Sequence, residues 1–273
     1  MSEPLSVWTH RHAVVRRGNG PRTLLFAHGF GCDQGMWRHL VPAFENDYSL
    51  VLFDYIGSGR SDASAYDPVR HVTLSGYAED VVGLVNALDL KDVVFVGHSA
   101  SAMVGVLASQ MQPGLFSHMV MIGPSPCYIN HPPDYVGGFE RSDIDAMLDM
   151  MEHNFEAWAD ALAPVVMKHA DRPELAEELD ASFCALDPSI ARRWARAIFL
   201  ADNRADLPKV QIPSLVLQCS DDALAPLAVG DYIARHMPQS TVQVLRATGH
   251  CPHMSEPDEA VAVMRDYFRN QGI

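Results

Sequence analysis

Short, almost wholly apolar runs alternate along this chain with segments of helical periodicity. "TLLFAHG" (Thr23–Gly29), "SLVLFD" (Ser49–Asp54), "DVVFVG" (Asp92–Gly97), "HMVMIG" (His118–Gly123), "SLVLQCS" (Ser214–Ser220) and "TVQVLR" (Thr241–Arg246) read as strands. They show little polar alternation, as expected of parallel strands covered on both faces. Leu74, Tyr77, Val81, Leu84, Val85 and Leu88 recur at spacings of three and four and predict one helix with a single apolar stripe. Ala100 to Met111 predicts another, closed by Pro113-Gly114, and Pro257 opens the last, because proline suits the first helical turn. Strands alternating with helices predict an α/β fold, a mostly parallel sheet flanked by helices.

The alternation breaks between Gly123 and Pro213. "GPSPCYINHPPDYVGGF" is rich in Pro and Gly and reads as a linker. From about Ser142 to Asp202 every segment has helical character and carries large side chains, among them Met147, Met150, Met151, Phe155, Trp158, Phe183, Trp194 and Phe199. Most of these must form the core of a helical insertion, and some are placed to line whatever lies beneath it. The expected organisation is a core over 1–123, a four-helix lid over 124–210, and the rest of the core over 211–273.

Composition narrows the partners. The 273 residues are 48% hydrophobic and 20% charged, an ordinary globular mix. A net charge of -14 argues against nucleic acid, whose phosphates require clustered Lys and Arg. The five cysteines, Cys32, Cys127, Cys184, Cys219 and Cys251, are widely spaced and include no C-x-x-C, which reads as reduced thiols of a cytoplasmic protein. "MSEPLSVWTHRHAVVRRGNG" contains no apolar signal-peptide core, and no apolar run approaches the length of a membrane span, so no membrane partner is expected.

The stretch "VVFVGHSASAMVG" carries the chemistry. Ser99 falls where a buried strand turns sharply into a helix, and ligand sites of open α/β sheets lie at such carboxyl ends. A serine there is a candidate nucleophile that needs a base, and the base needs an orienting group. His250 follows the last strand and serves as the base candidate. Asp222 follows the preceding strand, four residues before Pro226, and is preferred to its neighbour Asp221 as the orienting carboxylate. The chain order Ser, Asp, His on strand ends is that of an α/β-hydrolase fold. An oxyanion hole would take one N–H from Ala100 and a second from Phe30 in "AHGFGCD". One departure weakens the motif: the last position of G-x-S-x-G is Ser101.

Other readings fare worse. His250 and His253 lack the three or four convergent ligands of a zinc site, so neither a metal nor a cofactor is expected. "GSGRSD" (Gly57–Asp62) lacks the phosphate-loop pattern and reads as a loop beside the site. His98 reads as a structural elbow residue and His28 as a support of the oxyanion loop. A hydrolytic dehalogenase would carry Asp at position 99.

"FAHGFGCDQGMW", "LFDYIGSGRSD", "FVGHSASAMVG", "LFSHMVMIGPSPCYIN", "GGFE", "LQCSDDALAP" and "GHCPHMSEPDE" together resemble the RsbQ-like family of bacterial stress-regulator hydrolases and its plant relatives, the karrikin- and strigolactone-receptor hydrolases. The likeness runs over nearly the whole chain, and Ser101 in the elbow resembles the plant branch. It implies a V-shaped four-helix lid over a deep hydrophobic pocket with Ser99 at its base. It also implies Ser99, Asp222 and His250 as the triad, with Phe30 and Ala100 as oxyanion donors. Phe30, Tyr128, Phe139, Trp158 and Phe199 would be pocket walls, and Leu162 stands where a plant pocket aromatic would, implying a different pocket shape.

Two functions follow as expectations. One is a serine hydrolase of a small hydrophobic ester or lactone, including butenolide-like compounds. The other is a signalling module that binds or slowly hydrolyses such a ligand and regulates a partner, which the bacterial resemblance implies to be a phosphatase.

Overall fold

A computed structural model describes residues 4–273. The chain opens with α1 (Leu5–Arg11), β1 (Val15–Arg17) and β2 (Thr23–Ala27), followed by α2 (Val41–Phe44) and β3 (Ser49–Phe53). Next come α3 (Leu74–Ala87), β4 (Val93–His98), α4 (Ala100–Met111) and β5 (His118–Ile122). Four helices then run without a strand: α5 (Arg141–His153), α6 (Phe155–Met167), α7 (Pro173–Cys184) and α8 (Pro188–Phe199). The chain closes with β6 (Ser214–Asp221), α9 (Leu227–His236), β7 (Ser240–Thr248), α10 (Pro252–Ser255) and α11 (Pro257–Gln271).

The seven strands form one sheet in the order β1-β3-β2-β4-β5-β6-β7, parallel except for β1, which pairs antiparallel with β3. β2 and β4 are buried along their whole length, which accounts for their unbroken apolar sequence. The six predicted strands are all present. The sequence pattern does not name α1, β1, α2, α9 or α10, and α1 and β1 carry no periodic signal. β1 is three residues long, and α1 buries none of its side chains.

The strand order fixes where a site can form. From β2 the chain passes to β3 on one side and later returns to β4 on the other, with Ala27 of β2 paired to Gly97 of β4. The crevice outside the carboxyl ends of these two strands is the switch point at which such sheets bind ligands. It receives the loop after β2 and the turn after β4.

α6, α7 and α8 roof this crevice with α5 packed on α6 and α8, and local sequence sets the ends of all four. Glu140 and Asp143 form a reciprocal capping box at α5, the Asn154 side chain accepts from Ala157 N–H at α6, and Asp187 accepts from Ser189 and Ile190 N–H at α8. Pro173 and Pro188 occupy first-turn positions of α7 and α8. The roof is fastened to the core by polar bonds: Val166 O accepts from His250 N at 2.8 Å, Ser182 Oγ donates to Gly31 O at 2.6 Å, and Arg38 meets Glu178 through two 2.6 Å bonds. No helix among the described residues is long and apolar enough to cross a membrane.

Trp194 of α8 is an apolar fastening. It is 1% exposed and stacks on Tyr77 of α3 at 5.1 Å between ring centroids, with Tyr55 and Phe30 each at 5.4 Å. Trp194→Ala removes an aromatic that joins roof to core. We expect a loss of about 3–5 kcal/mol of unfolding free energy, read from the urea midpoint. A loss below about 1 kcal/mol would show that roof and core are not coupled through this ring.

Candidate active site

β4 ends at His98, and Ser99 adopts φ 55° and ψ -123°, a backbone region that L-residues rarely occupy. Its surroundings hold it there. Ser99 N–H donates to Ile122 O at 2.8 Å, and Ser99 O accepts from Ala102 N at 3.0 Å. Gly97 is required for the turn, because a Cβ there would lie 2.9 Å from the Ser101 carbonyl. The turn lifts the Ser99 hydroxyl clear of the sheet, and Ala100 becomes the first residue of α4, whose N–H has no partner within the helix. Phe30 lies in the loop after β2, on the other bank of the crevice.

Ser101, the residue that departs from the motif, is fully buried. Its hydroxyl bonds to His28 O at 2.5 Å and to the Tyr55 hydroxyl at 3.0 Å. A serine here ties α4 to the end of β2, which glycine would not do. His28 Nε2 accepts from Tyr55 N at 3.1 Å, so its Nδ1 carries the proton and donates to Gly29 O at 2.8 Å. The loop bearing Phe30 is thereby fixed on both sides, as expected of His28.

The three residues singled out from chain order meet. His250 Nε2 is 2.8 Å from Ser99 Oγ, and His250 Nδ1 is 2.7 Å from Asp222 Oδ2. Asp222 Oδ1 accepts from Leu224 N at 2.8 Å and Ala225 N at 3.1 Å. All three side chains are buried. Burial alone would raise the Asp222 carboxyl, but His250 and the two backbone N–H groups outweigh it and hold the carboxyl below its ordinary value. An ionised Asp222 fixes the imidazole with its proton on Nδ1, leaving Nε2 free to take the Ser99 proton. Asp221 is exposed and pairs instead with Lys168 at the end of α6.

Two further side chains touch this line. The Tyr128 hydroxyl lies 3.5 Å from Ser99 Oγ. Burial pushes its phenol up to about 12, so it stays protonated and able to donate. Sequence reasoning placed Tyr128 only as a wall. His98 Nε2 donates to His250 O at 2.9 Å and so holds His250 through its backbone. Burial and the neighbouring His250 push His98 down to about 3, which keeps it neutral. His253 packs on His98 at 4.5 Å and on Trp37 at 4.7 Å, and burial likewise holds it well below its ordinary value.

The space above Ser99 is small and apolar. Phe30, Tyr128, Leu162, Phe183 and Phe199 line it with Val166, Leu179, Ile198 and Leu224. Its volume is about 30 Å³, far below the roughly 300–1,000 Å³ of ordinary ligand pockets. The deep pocket implied by resemblance is thus closed down by large side chains. Two expected walls stand outside it. Trp158 sits behind Phe30 and Phe183, at 6.0 and 5.1 Å, so Phe183 takes the wall position. Phe139 is half-buried on the linker, its N–H bonded to Tyr128 O at 3.1 Å. The lining residues Leu179 and Phe183, one turn apart on the buried face of α7, and Leu162 and Val166, one turn apart on α6, are legible only once helix register is known. A groove of about 700 Å³ runs outside, between α7 and the segment Cys32–Arg38, and shares Cys32 and Leu179 with the inner space.

Known proteins match along nearly the full length. The profile of the alpha/beta hydrolase family matches residues 24–263. Karrikin insensitive 2 receptor CA of Petunia hybrida is 37% identical over 254 residues, covering 93% of this chain and 94% of that protein. Strigolactone esterase D14 of Arabidopsis thaliana is 36% identical over 249 residues, covering 91% and 92%. The solved structure of a hydrolase from Oleispira antarctica superposes with a TM-score of 0.96 at 40% identity, covering 99% of each chain.

The buried histidines make stability depend on pH. His98 and His253 are neutral when folded and titrate near 6.5 when unfolded, so below that value the unfolded chain binds protons that the folded chain refuses. Their stability is fully present above pH 6.5 and falls as pH drops toward the folded values. We expect the urea midpoint to fall between pH 7 and pH 5, with about 2 kcal/mol lost per histidine, and His98→Asn to flatten the slope. An equal slope in that variant would contradict the assignment.

Proposed function

This chain belongs to the alpha/beta hydrolase family, and we propose that it is a serine hydrolase of small, mostly apolar esters or lactones, with Ser99, His250 and Asp222 as its triad. The observation that carries the reading is the continuous pair of hydrogen bonds, 2.8 and 2.7 Å, from Ser99 Oγ through His250 to Asp222. Ser99 Oγ attacks the carbonyl carbon as its proton passes to His250 Nε2. The imidazolium is stabilised by Asp222, and the oxyanion receives N–H groups from Phe30 and Ala100. Collapse breaks the C–O bond, and the leaving oxygen takes the proton from His250. Water then attacks the acyl-enzyme with His250 as base, and the acid departs. Tyr128 has the position to donate to the same reacting oxygens.

The apolar lining and the absence of a charged side chain among the lining residues favour a neutral, compact acyl group. We assign residues 124–210 as a lid that must shift for entry, and the groove outside α7 as the approach, because Cys32 and Leu179 alone belong to both spaces. A second reading is favoured by a relative named Karrikin insensitive 2 receptor CA. On that reading the chain is an RsbQ-like signalling hydrolase in the cytoplasm, turnover is slow, and the lid surface reports occupancy to a partner such as a phosphatase.

Kinetics with a small chromogenic ester test the chemistry. Ser99→Ala is expected to abolish turnover, and Asp222→Asn to lower kcat by roughly ten-thousand-fold with KM little changed. Unchanged turnover in Ser99→Ala would overturn the proposal.

A further inference from the structure

The chain crosses between core and helical insertion twice, before α5 and after α8. At that double crossing three side chains converge that the hydrolytic chemistry does not use: Cys127 and His131 on the outgoing segment, and Asp202 on the returning one. One potential ligand atom from each, the Cys127 sulfur, a ring nitrogen of His131 and a carboxylate oxygen of Asp202, all lie within 4.8 Å of one another. Cys127 Sγ and His131 Nε2 are 3.6 Å apart.

The backbone holds the cluster in shape. Cys127 and Asp202 face each other in an antiparallel bridge, and Asn203 N donates to Pro126 O at 2.7 Å. Cys127 O accepts from the Ser125 hydroxyl at 3.0 Å and the Tyr135 hydroxyl at 2.5 Å, while His131 is bridged to Tyr135. Arg204 grips the Asp202 carboxylate at 2.8 and 2.6 Å and lies over the Tyr135 ring at 5.0 Å.

We propose that Cys127, His131 and Asp202 form a binding site for a borderline-soft divalent cation of the zinc class, one that clips together the two ends of the helical insertion. A tetrahedral zinc with its usual bond lengths to sulfur and imidazole nitrogen separates those two atoms by about 3.6 Å, the spacing present between Cys127 and His131. A thiolate, an imidazole and a carboxylate select zinc-like ions over magnesium and calcium. His131 and Asp202 are exposed, so an ion enters from solvent and a water completes its shell. Arg204 orients the carboxylate as an outer partner, the usual arrangement around metal ligands. The thiol gives up its proton to solvent as the ion binds, so binding tightens as pH rises. Ligand spacing along the chain hid this site, because Asp202 reaches it only after the whole insertion has folded.

The clip would immobilise the segment that carries Tyr128, the neighbour of Cys127. It is independent of hydrolysis and is tested without it. Metal-stripped, tag-free protein titrated with cobalt(II) should bind one equivalent with a thiolate-to-cobalt charge-transfer band in the near ultraviolet, displaced by zinc. The band should vanish in Cys127→Ser and persist in Cys184→Ser, which removes the one exposed cysteine. His131→Ala, an exposed change that leaves the fold intact, should weaken binding by more than about tenfold, and Arg204→Ala by roughly tenfold. Zinc should raise the Tm of the wild type and not of His131→Ala. No charge-transfer band in the wild type, a band retained in Cys127→Ser, or unchanged affinity in His131→Ala would each overturn the proposal.

Discussion

The turn at Ser99 is the constraint on which the rest of the site depends. A buried strand enters it, a helix leaves it, and one residue between them holds a positive φ of 55°. Such a conformation costs on the order of 1–3 kcal/mol and persists only where neighbours over-determine it. Here the neighbours are Gly97, the carbonyl of Ile122 and the buried hydroxyl of Ser101. The same turn brings the Ser99 hydroxyl within 2.8 Å of His250 Nε2 and makes Ala100 the first residue of α4. A sheet whose strand order reverses between β2 and β4 supplies that crevice before any functional side chain is considered.

Electrostatics and packing then act together. Asp222 remains ionised because its two oxygens are met by His250 and by two backbone N–H groups. His98 remains neutral because it is buried, and its N–H positions the backbone of His250. The α6–α8 roof removes water from this line of hydrogen bonds, which strengthens each of them. Its cost is access. With Phe30, Phe183, Phe199 and Leu179 in place, the inner space holds far less than a typical ligand.

Most of the fold was legible in the sequence because buried parallel strands are written as continuous apolar runs and their positions are local. Six strands and the long core helices follow from that pattern. Ser99, Asp222 and His250 were legible for a related reason: chain order on strand ends is itself local information, and the three lie in direct contact. The pocket was legible only in part. Phe30, Tyr128 and Phe199 line it, whereas Trp158 and Phe139 do not. Which face of a roof helix points downward depends on packing between helices, so Phe183 took the place expected of Trp158. The role of Ser101 as a tie to His28 was illegible because its partners lie on other elements. The meeting of Cys127 with Asp202 was hidden for the same reason.

The most direct test of the central claim is intact-mass spectrometry of the protein mixed with a small activated ester and, separately, with a butenolide probe. A mass increase equal to the acyl group, mapped to the peptide containing Ser99 and absent from Ser99→Ala, is the predicted result. An adduct that forms equally on Ser99→Ala, or turnover of either probe with no dependence on Ser99, would contradict the account.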